Sequence, residues 1–136
     1  GNALKHDATL LTGGEPVGQC VQATLMENVP RSHPFYSDEA FAPVAILIPY
    51  DTYEEALGIV NDSAFGLQAG VFTRDLSRAM TAFHEIEAGS VLINQTPTFR
   101  IDNLPYGGVK DSGVGREGPH WAIEDMTELR TLVIKQ

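Results

Sequence analysis

Short runs rich in apolar and β-branched residues alternate along the chain with stretches whose apolar positions recur at helical spacing. Val21–Leu25, Val44–Tyr50, Ala69–Phe72 and Val91–Asn94 read as strands. After the second of these, Asp51-Thr-Tyr-Glu54 has the spacing of a capping interaction. Ala56, Ile59 and Val60 then share one helical face, which predicts a helix ending near Asn61. Another helix is predicted from Asp75 to about Glu87, with Leu76, Ala79, Met80 and Phe83 turned to the sheet and Gly89 as its stop. Pro119 opens a third, reaching about Glu128. Strands alternating with helices predict an α/β fold, a parallel sheet flanked by helices. Thr131-Leu-Val-Ile-Lys135 is β-branched and predicts a terminal strand. At the other end, Asn2–Gly14 reads as the last turn of a helix, a strand and a turn. That helix has no start signal, from which a truncation is inferred.

Composition narrows the classes. The 136 residues suit one domain without an internal linker or repeat, and 43% hydrophobic with 20% charged residues is a soluble globular balance. The longest uncharged apolar run, Phe41 to Tyr50, is too short to cross a bilayer and holds two prolines. With no basic-then-apolar leader, a cytoplasmic setting is expected. A formal charge of -9 without a Lys/Arg cluster argues against nucleic-acid binding. One cysteine excludes an internal disulfide and a multi-cysteine metal site. His6, His33, His84 and His120 are scattered on different elements and predict no metal centre.

The densest candidate segment is Leu104-Pro-Tyr-Gly-Gly-Val-Lys-Asp-Ser-Gly-Val-Gly-Arg-Glu-Gly118, glycine-rich and leading into a helix. Gly113-Val-Gly-Arg-Glu-Gly118 matches the G-x-G-x-x-G dinucleotide pattern. It lacks the preceding buried strand, and no acidic ribose partner follows at the required distance. A longer match accounts for more residues. Pro105-Tyr-Gly-Gly-Val-Lys-Asp-Ser-Gly-Val-Gly-Arg-Glu117 resembles the Pro-Phe-Gly-Gly-x-Lys-x-Ser-Gly-x-Gly-Arg-Glu segment of the aldehyde dehydrogenase superfamily. Asp38-Glu-Ala-Phe-Ala-Pro-Val44, Asn61-Asp-Ser-Ala-Phe-Gly-Leu67, Ala69-Gly-Val-Phe-Thr-Arg-Asp75 and Ala88-Gly-Ser-Val-Leu-Ile-Asn94 resemble further landmarks of that family, in the family's order.

The resemblance implies the C-terminal part of a catalytic domain over residues 1–136, with a C-terminal oligomerisation strand near 131–136. The implied partners are a second copy, as homodimer or homotetramer, and a small aldehyde. The complete enzyme would oxidise the aldehyde to an acid with NAD or NADP, through a cysteine thiohemiacetal and thioester. It also implies site roles. Glu39 would bind the nicotinamide ribose hydroxyls, a task suited to a carboxylate that accepts two hydrogen bonds from a cis-diol, and Phe41 would pack beside the ring. Ala42 stands where the family usually has glycine. Tyr106 would line the substrate tunnel. Pro97-Thr-Phe-Arg-Ile-Asp102 is similar to a segment of the subgroup containing lactaldehyde and phosphonoacetaldehyde dehydrogenases. There Arg100 would hold a carboxylate or phosphate on an anionic aldehyde, unless it forms a structural salt bridge to Asp102 or another acid. Asn94 ends a strand where α/β ligands collect, or is a turn residue.

Gly18-Gln19-Cys20 resembles the family's nucleophile motif Gly-Gln-x-Cys with one residue missing, and it lies too close to Glu39. Cys20 is therefore expected to be a small, partly buried packing residue, and neither nucleophile nor general base is expected in this chain. Lys110, Ser112 and Arg116 are expected to fix the glycine-rich loop. Taken alone, the chain is expected to be inactive. Two other classes stay open: a non-catalytic binding or oligomerisation module derived from the same fold, and an unrelated small enzyme pairing Cys20 with His33.

Overall fold

The computed structural model describes residues 8–136. The helical turn expected within Asn2–Gly14, and His6, lie outside them. The chain forms two compact units, one reaching to Glu55 and the other beginning at Ala56.

The first unit is built on a three-stranded sheet in the order β1 (Thr9–Thr12), β4 (Thr24–Glu27), β5 (Val44–Leu47). β1 runs antiparallel to β4, and β4 runs parallel to β5, with Thr24 opposite Val44 and Glu27 opposite Leu47. Between β1 and β4, a hairpin of β2 (Pro16–Val17) and β3 (Cys20–Val21) turns at Gly18, which sits at φ +62°. The strand expected over Val21–Leu25 is thus two strands. Val21 pairs with Pro16, and the sheet strand starts only at Thr24. The corner is stitched by the Thr24 hydroxyl, which donates to Gln22 O at 2.8 Å and accepts from Gly14 N at 2.9 Å. β5 stops short of the expected Tyr50, before Pro49, a residue with no N–H to give a ladder.

The crossover to β5 contains the single-turn helix α1 (Pro34–Ser37). His33 caps it by accepting Phe35 N at Nδ1, 3.1 Å away, and Pro34 opens it at a position where its missing N–H costs nothing. Ala8 and Met26 form the buried centre of this unit, with Val29, Val44 and Ile46 packed against them.

Helix α2 (Tyr53–Asn61) crosses the boundary between the units and ends where expected. Its capping box lies one residue later than the sequence reading placed it. Thr52 Oγ1 accepts Glu55 N at 3.1 Å, and the Glu55 carboxylate returns to accept Asp51 N at 2.8 Å.

In the second unit, β7 (Gln68–Val71) and β8 (Ser90–Ile93) run parallel, joined by helix α3 (Leu76–Glu85), which makes the expected βαβ unit. β6 (Phe65–Gly66) pairs antiparallel with β9 (Val109–Lys110). Asp75 caps α3, its Oδ1 accepting Ser77 N at 2.8 Å and Arg78 N at 3.3 Å. The buried face of α3 matches the predicted one only at Ala79. Ala79, Ala82 and the capping residue Ile86 are buried, while Leu76, Met80 and Phe83 are exposed. Two alanines let the helix backbone approach β8 closely, and the larger apolar side chains are left at its flank.

The helix stops at Ile86, so Gly89 is not its stop. Gly89 is required instead because a Cβ there would collide with the carbonyl of Gly107. Helix α4 (Pro119–Met126) follows Gly118. Residues 127–136 form neither helix nor strand and are exposed, so the terminal strand expected at 131–135 has no pairing partner among the described residues. A strand needs a neighbour to close its ladder, and the described residues offer none there. No helix among the described residues is long and apolar enough to cross a membrane.

Candidate functional site

The glycine-rich loop is held by side chains. Lys110 Nζ donates to Asn61 O at 2.8 Å and Ser63 O at 3.1 Å and pairs with the Glu87 carboxylate at 2.6 Å, beside the C-terminal carbonyls of α2 where a cation is favoured. Ser112 Oγ accepts Gly66 N at 2.9 Å. Arg116 Nη1 donates to Gly108 O at 2.9 Å and to Gly115 O at 2.6 Å. All three residues fix the loop as anticipated.

That scaffold presents a cavity of about 320 Å³, lined by Gln68, Phe83, Val91, Phe99, Arg100 and Tyr106 among others. The volume suits a small molecule. Gln68 Nε2 donates to Phe99 O at 3.1 Å, tying the segment that carries Arg100 back to β7. The Arg100 guanidinium lies over the Tyr106 ring, 4.4 Å from its centroid, close enough for a cation–π interaction. The same guanidinium pairs through Nε with Asp102 at 3.4 Å and through Nη2 with Glu117 at 3.0 Å. Tyr106 and Glu117 are themselves joined by a backbone bridge, each amide donating to the other's carbonyl. Tyr106 is also shared with a second cavity of about 230 Å³, lined by Glu117, Arg116, Ser112 and Asp125.

Arg100 and Tyr106 thus meet at one cavity. Asn94 does not line it. Its carboxamide is engaged on both sides by the backbone of Thr73, and its own φ is +56°. Glu117 was not singled out from the sequence. Its place at the end of the Gly-Arg-Glu motif was visible, but its pairing with Arg100 depends on the bridge to Tyr106.

In the first unit, Glu39 and Phe41 lie in the segment between α1 and β5, shaped by two tight turns, Ala42 N to Ala40 O and Val44 N to Ala42 O, both 2.8 Å. Glu39 is exposed and Phe41 is 92% exposed, so Phe41 contributes nothing to a core. An exposed aromatic ring close in sequence to an exposed carboxylate fits a nicotinamide riboside: a planar face for the ring and an acceptor for the diol. Ala42 is not at positive φ, so the methyl in place of the family's glycine causes no backbone strain.

Cys20 is exposed on β3, which corrects the expectation that it packs inward. In a two-stranded hairpin it has no second layer to pack against. His33, the suggested base for it, is buried and engaged in capping α1. No group of three or more potential metal ligands occurs among the described residues.

Comparison with known proteins agrees with this scaffold. The model of the family described as "Aldehyde dehydrogenase family" matches residues 1–132. The chain is 45% identical over 132 residues to aspartate-semialdehyde dehydrogenase 1 of Pseudomonas canavaninivorans, covering 97% of this chain and 28% of that protein. It is 43% identical, with the same coverage, to 3-sulfolactaldehyde dehydrogenase of Priestia aryabhattai. The crystal structure of aldehyde dehydrogenase 21 from Physcomitrella patens, in complex with the reaction product succinate, superposes with a TM-score of 0.93 at 41% identity, covering 98% of this chain and 28% of that one. The chain therefore belongs to the aldehyde dehydrogenase family. Its fold is a partial aldehyde dehydrogenase domain, a mixed sheet with flanking helices, and it spans about 28% of the length of these relatives.

Proposed function

We propose that this chain is the C-terminal part of the catalytic domain of an enzyme that oxidises a small, anionic aldehyde to its acid with NAD or NADP. The observation that carries the anionic preference is Arg100, laid over Tyr106 in the wall of the 320 Å³ cavity. A guanidinium in that position holds a carboxylate or sulfonate on two parallel N–H groups. Relatives named for 3-sulfolactaldehyde and sulfoacetaldehyde support the same class, and one named for aspartate semialdehyde, a zwitterion, shares a carboxylate for Arg100 to hold.

Glu39 and Phe41 would hold the nicotinamide end of the cofactor, Glu39 accepting from the ribose hydroxyls and Phe41 covering the ring. When bound, the cofactor supplies the hydride acceptor. NAD and NADP both fit this end of the molecule, and solved relatives are complexed with one or the other. The nucleophilic thiol and the general base would come from outside these 136 residues, so the chain alone would give no turnover. The exposed segment 131–136 would pair with a second copy, building a homodimer or homotetramer.

The test is reduced-cofactor formation with a panel of sulfolactaldehyde, aspartate semialdehyde and the neutral lactaldehyde, by the chain alone and by a version extended N-terminally to the length of its relatives. The expected result is silence from the chain and turnover by the extended protein. In the latter, R100M would raise KM for the two aldehydes that carry a sulfonate or carboxylate and leave lactaldehyde nearly unchanged. Turnover by the 136 residues alone, or an R100M effect equal for all three aldehydes, would refute the proposal.

A further inference from the structure

Arg100 is not a bare cation awaiting an anion. Of its five N–H groups, Nε–H faces Asp102 and one Nη2–H is taken by Glu117, while Nη1 has no protein partner among the described residues. The Nη1–Nη2 edge is therefore half open, and it belongs to a side chain that lines the 320 Å³ cavity. The two carboxylates do not stand on the same footing. Asp102 is 94% exposed and sits 3.4 Å from Nε, a pair that water screens heavily. Glu117 is closer, at 3.0 Å, and its backbone is fixed by the reciprocal amide–carbonyl bridge to Tyr106, on whose ring the guanidinium rests. Glu117 lines the second cavity and not the first, while Arg100 lines the first.

From this arrangement we infer that Glu117 is a specificity-determining residue, which sets how strongly the Arg100 cavity takes an anion. Two carboxylates already surround one guanidinium, leaving the group with an excess negative charge. A ligand carboxylate or sulfonate on the open edge shares Nη2 with Glu117 and is repelled by it. Glu117 therefore holds anion affinity down while keeping the guanidinium over Tyr106. Doubly charged ligands are penalised more than singly charged ones, since repulsion scales with the product of the charges. This inference rests on the reading of Arg100 as ligand-facing.

The test is an NMR titration of the 136-residue chain with succinate as anionic probe and succinamide as neutral control, using wild type, E117Q, D102N and R100M. The carboxamide of E117Q keeps the shape and an acceptor oxygen, so the guanidinium stays placed while the charge is lost. Succinate should bind E117Q about fivefold more tightly than wild type, and D102N by less than about twofold. Succinamide should not distinguish the variants. If R100M abolishes succinate binding but E117Q binds no better than wild type, Glu117 does not set selectivity, and the ligand-facing Arg100 survives. If R100M binds like wild type, or wild type does not bind succinate at all, the reading of Arg100 itself fails and this inference with it. Should E117Q lose its folded spectrum, E117D withdraws the charge by one methylene and should still gain about twofold. No gain there would overturn the inference.

Discussion

Asn94 grips Thr73 with both ends of its carboxamide: Nδ2 donates to Thr73 O at 2.8 Å, and Oδ1 accepts Thr73 N at 2.9 Å. The side chain behaves as one more residue of β8, extending the β7–β8 pairing past Ile93. Asn is well suited to the site, since it tolerates φ +56° better than most residues. N94A removes two exposed hydrogen bonds and leaves a Cβ residue at positive φ, for a loss of about 2 kcal/mol. N94G keeps the backbone unstrained and should lose about 1 kcal/mol less. Urea unfolding of the two variants side by side measures the difference.

Lys110 joins three segments through one ammonium group, on Asn61, Ser63 and Glu87. K110M preserves the aliphatic stem and strands two carbonyls and a carboxylate, so about 2 kcal/mol of stability should go. E87Q removes only the charge and should cost about 0.5 kcal/mol, the Glu87 side chain being 60% exposed. Thermal melts of both variants test whether the carbonyl contacts or the ion pair dominate.

Glycines in the same region differ in why they are needed. At Gly89 a Cβ would strike the Gly107 carbonyl, a backbone atom that cannot swing away. At Gly113 a Cβ meets nothing within 4 Å, and only the φ of +125° resists it. G89A should therefore fail to give soluble protein, while G113A should fold with a loss of about 1–2 kcal/mol. Soluble yield and melting temperature of the pair decide it.

Asp75 accepts two amides at the start of α3, so D75A should cost about 1 kcal/mol. D75N, which retains an acceptor oxygen, should recover most of it. Melting curves of the two variants are the check.

How far the sequence could be read differs between elements for physical reasons. Local chemistry was legible: Asp75 announces α3, Pro119 opens α4, and short apolar runs mark β5, β7 and β8. Where a face is chosen by its neighbour, periodicity failed. Leu76, Ala79, Met80 and Phe83 read as the inward stripe of α3, yet of the four only Ala79 is buried, joined by Ala82, the two small residues that let a helix backbone come close to its neighbour. The run Val21–Leu25 looked continuous, but Val21 belongs to the hairpin of β2 and β3 and only Thr24 onward to the sheet. At the site, Arg100 and Tyr106 were visible through their motifs, and Asp102 through its nearness in sequence. The partner at 3.0 Å, Glu117, was not, since only the folded bridge at Tyr106 brings it in.

The unpaired tail gives the chain a built-in protease reporter. Residues 127–136 lack helix and strand, and Arg130 and Lys135 lie within them, exposed. Unstructured, accessible backbone is where proteases cut first. Trypsin should sever the chain after Arg130 before it attacks α3, and the hexapeptide released carries Leu132, Val133 and Ile134. Any partner that draws this segment into a ladder would slow that cut, so the cleavage rate as a function of protein concentration reads assembly directly from a gel.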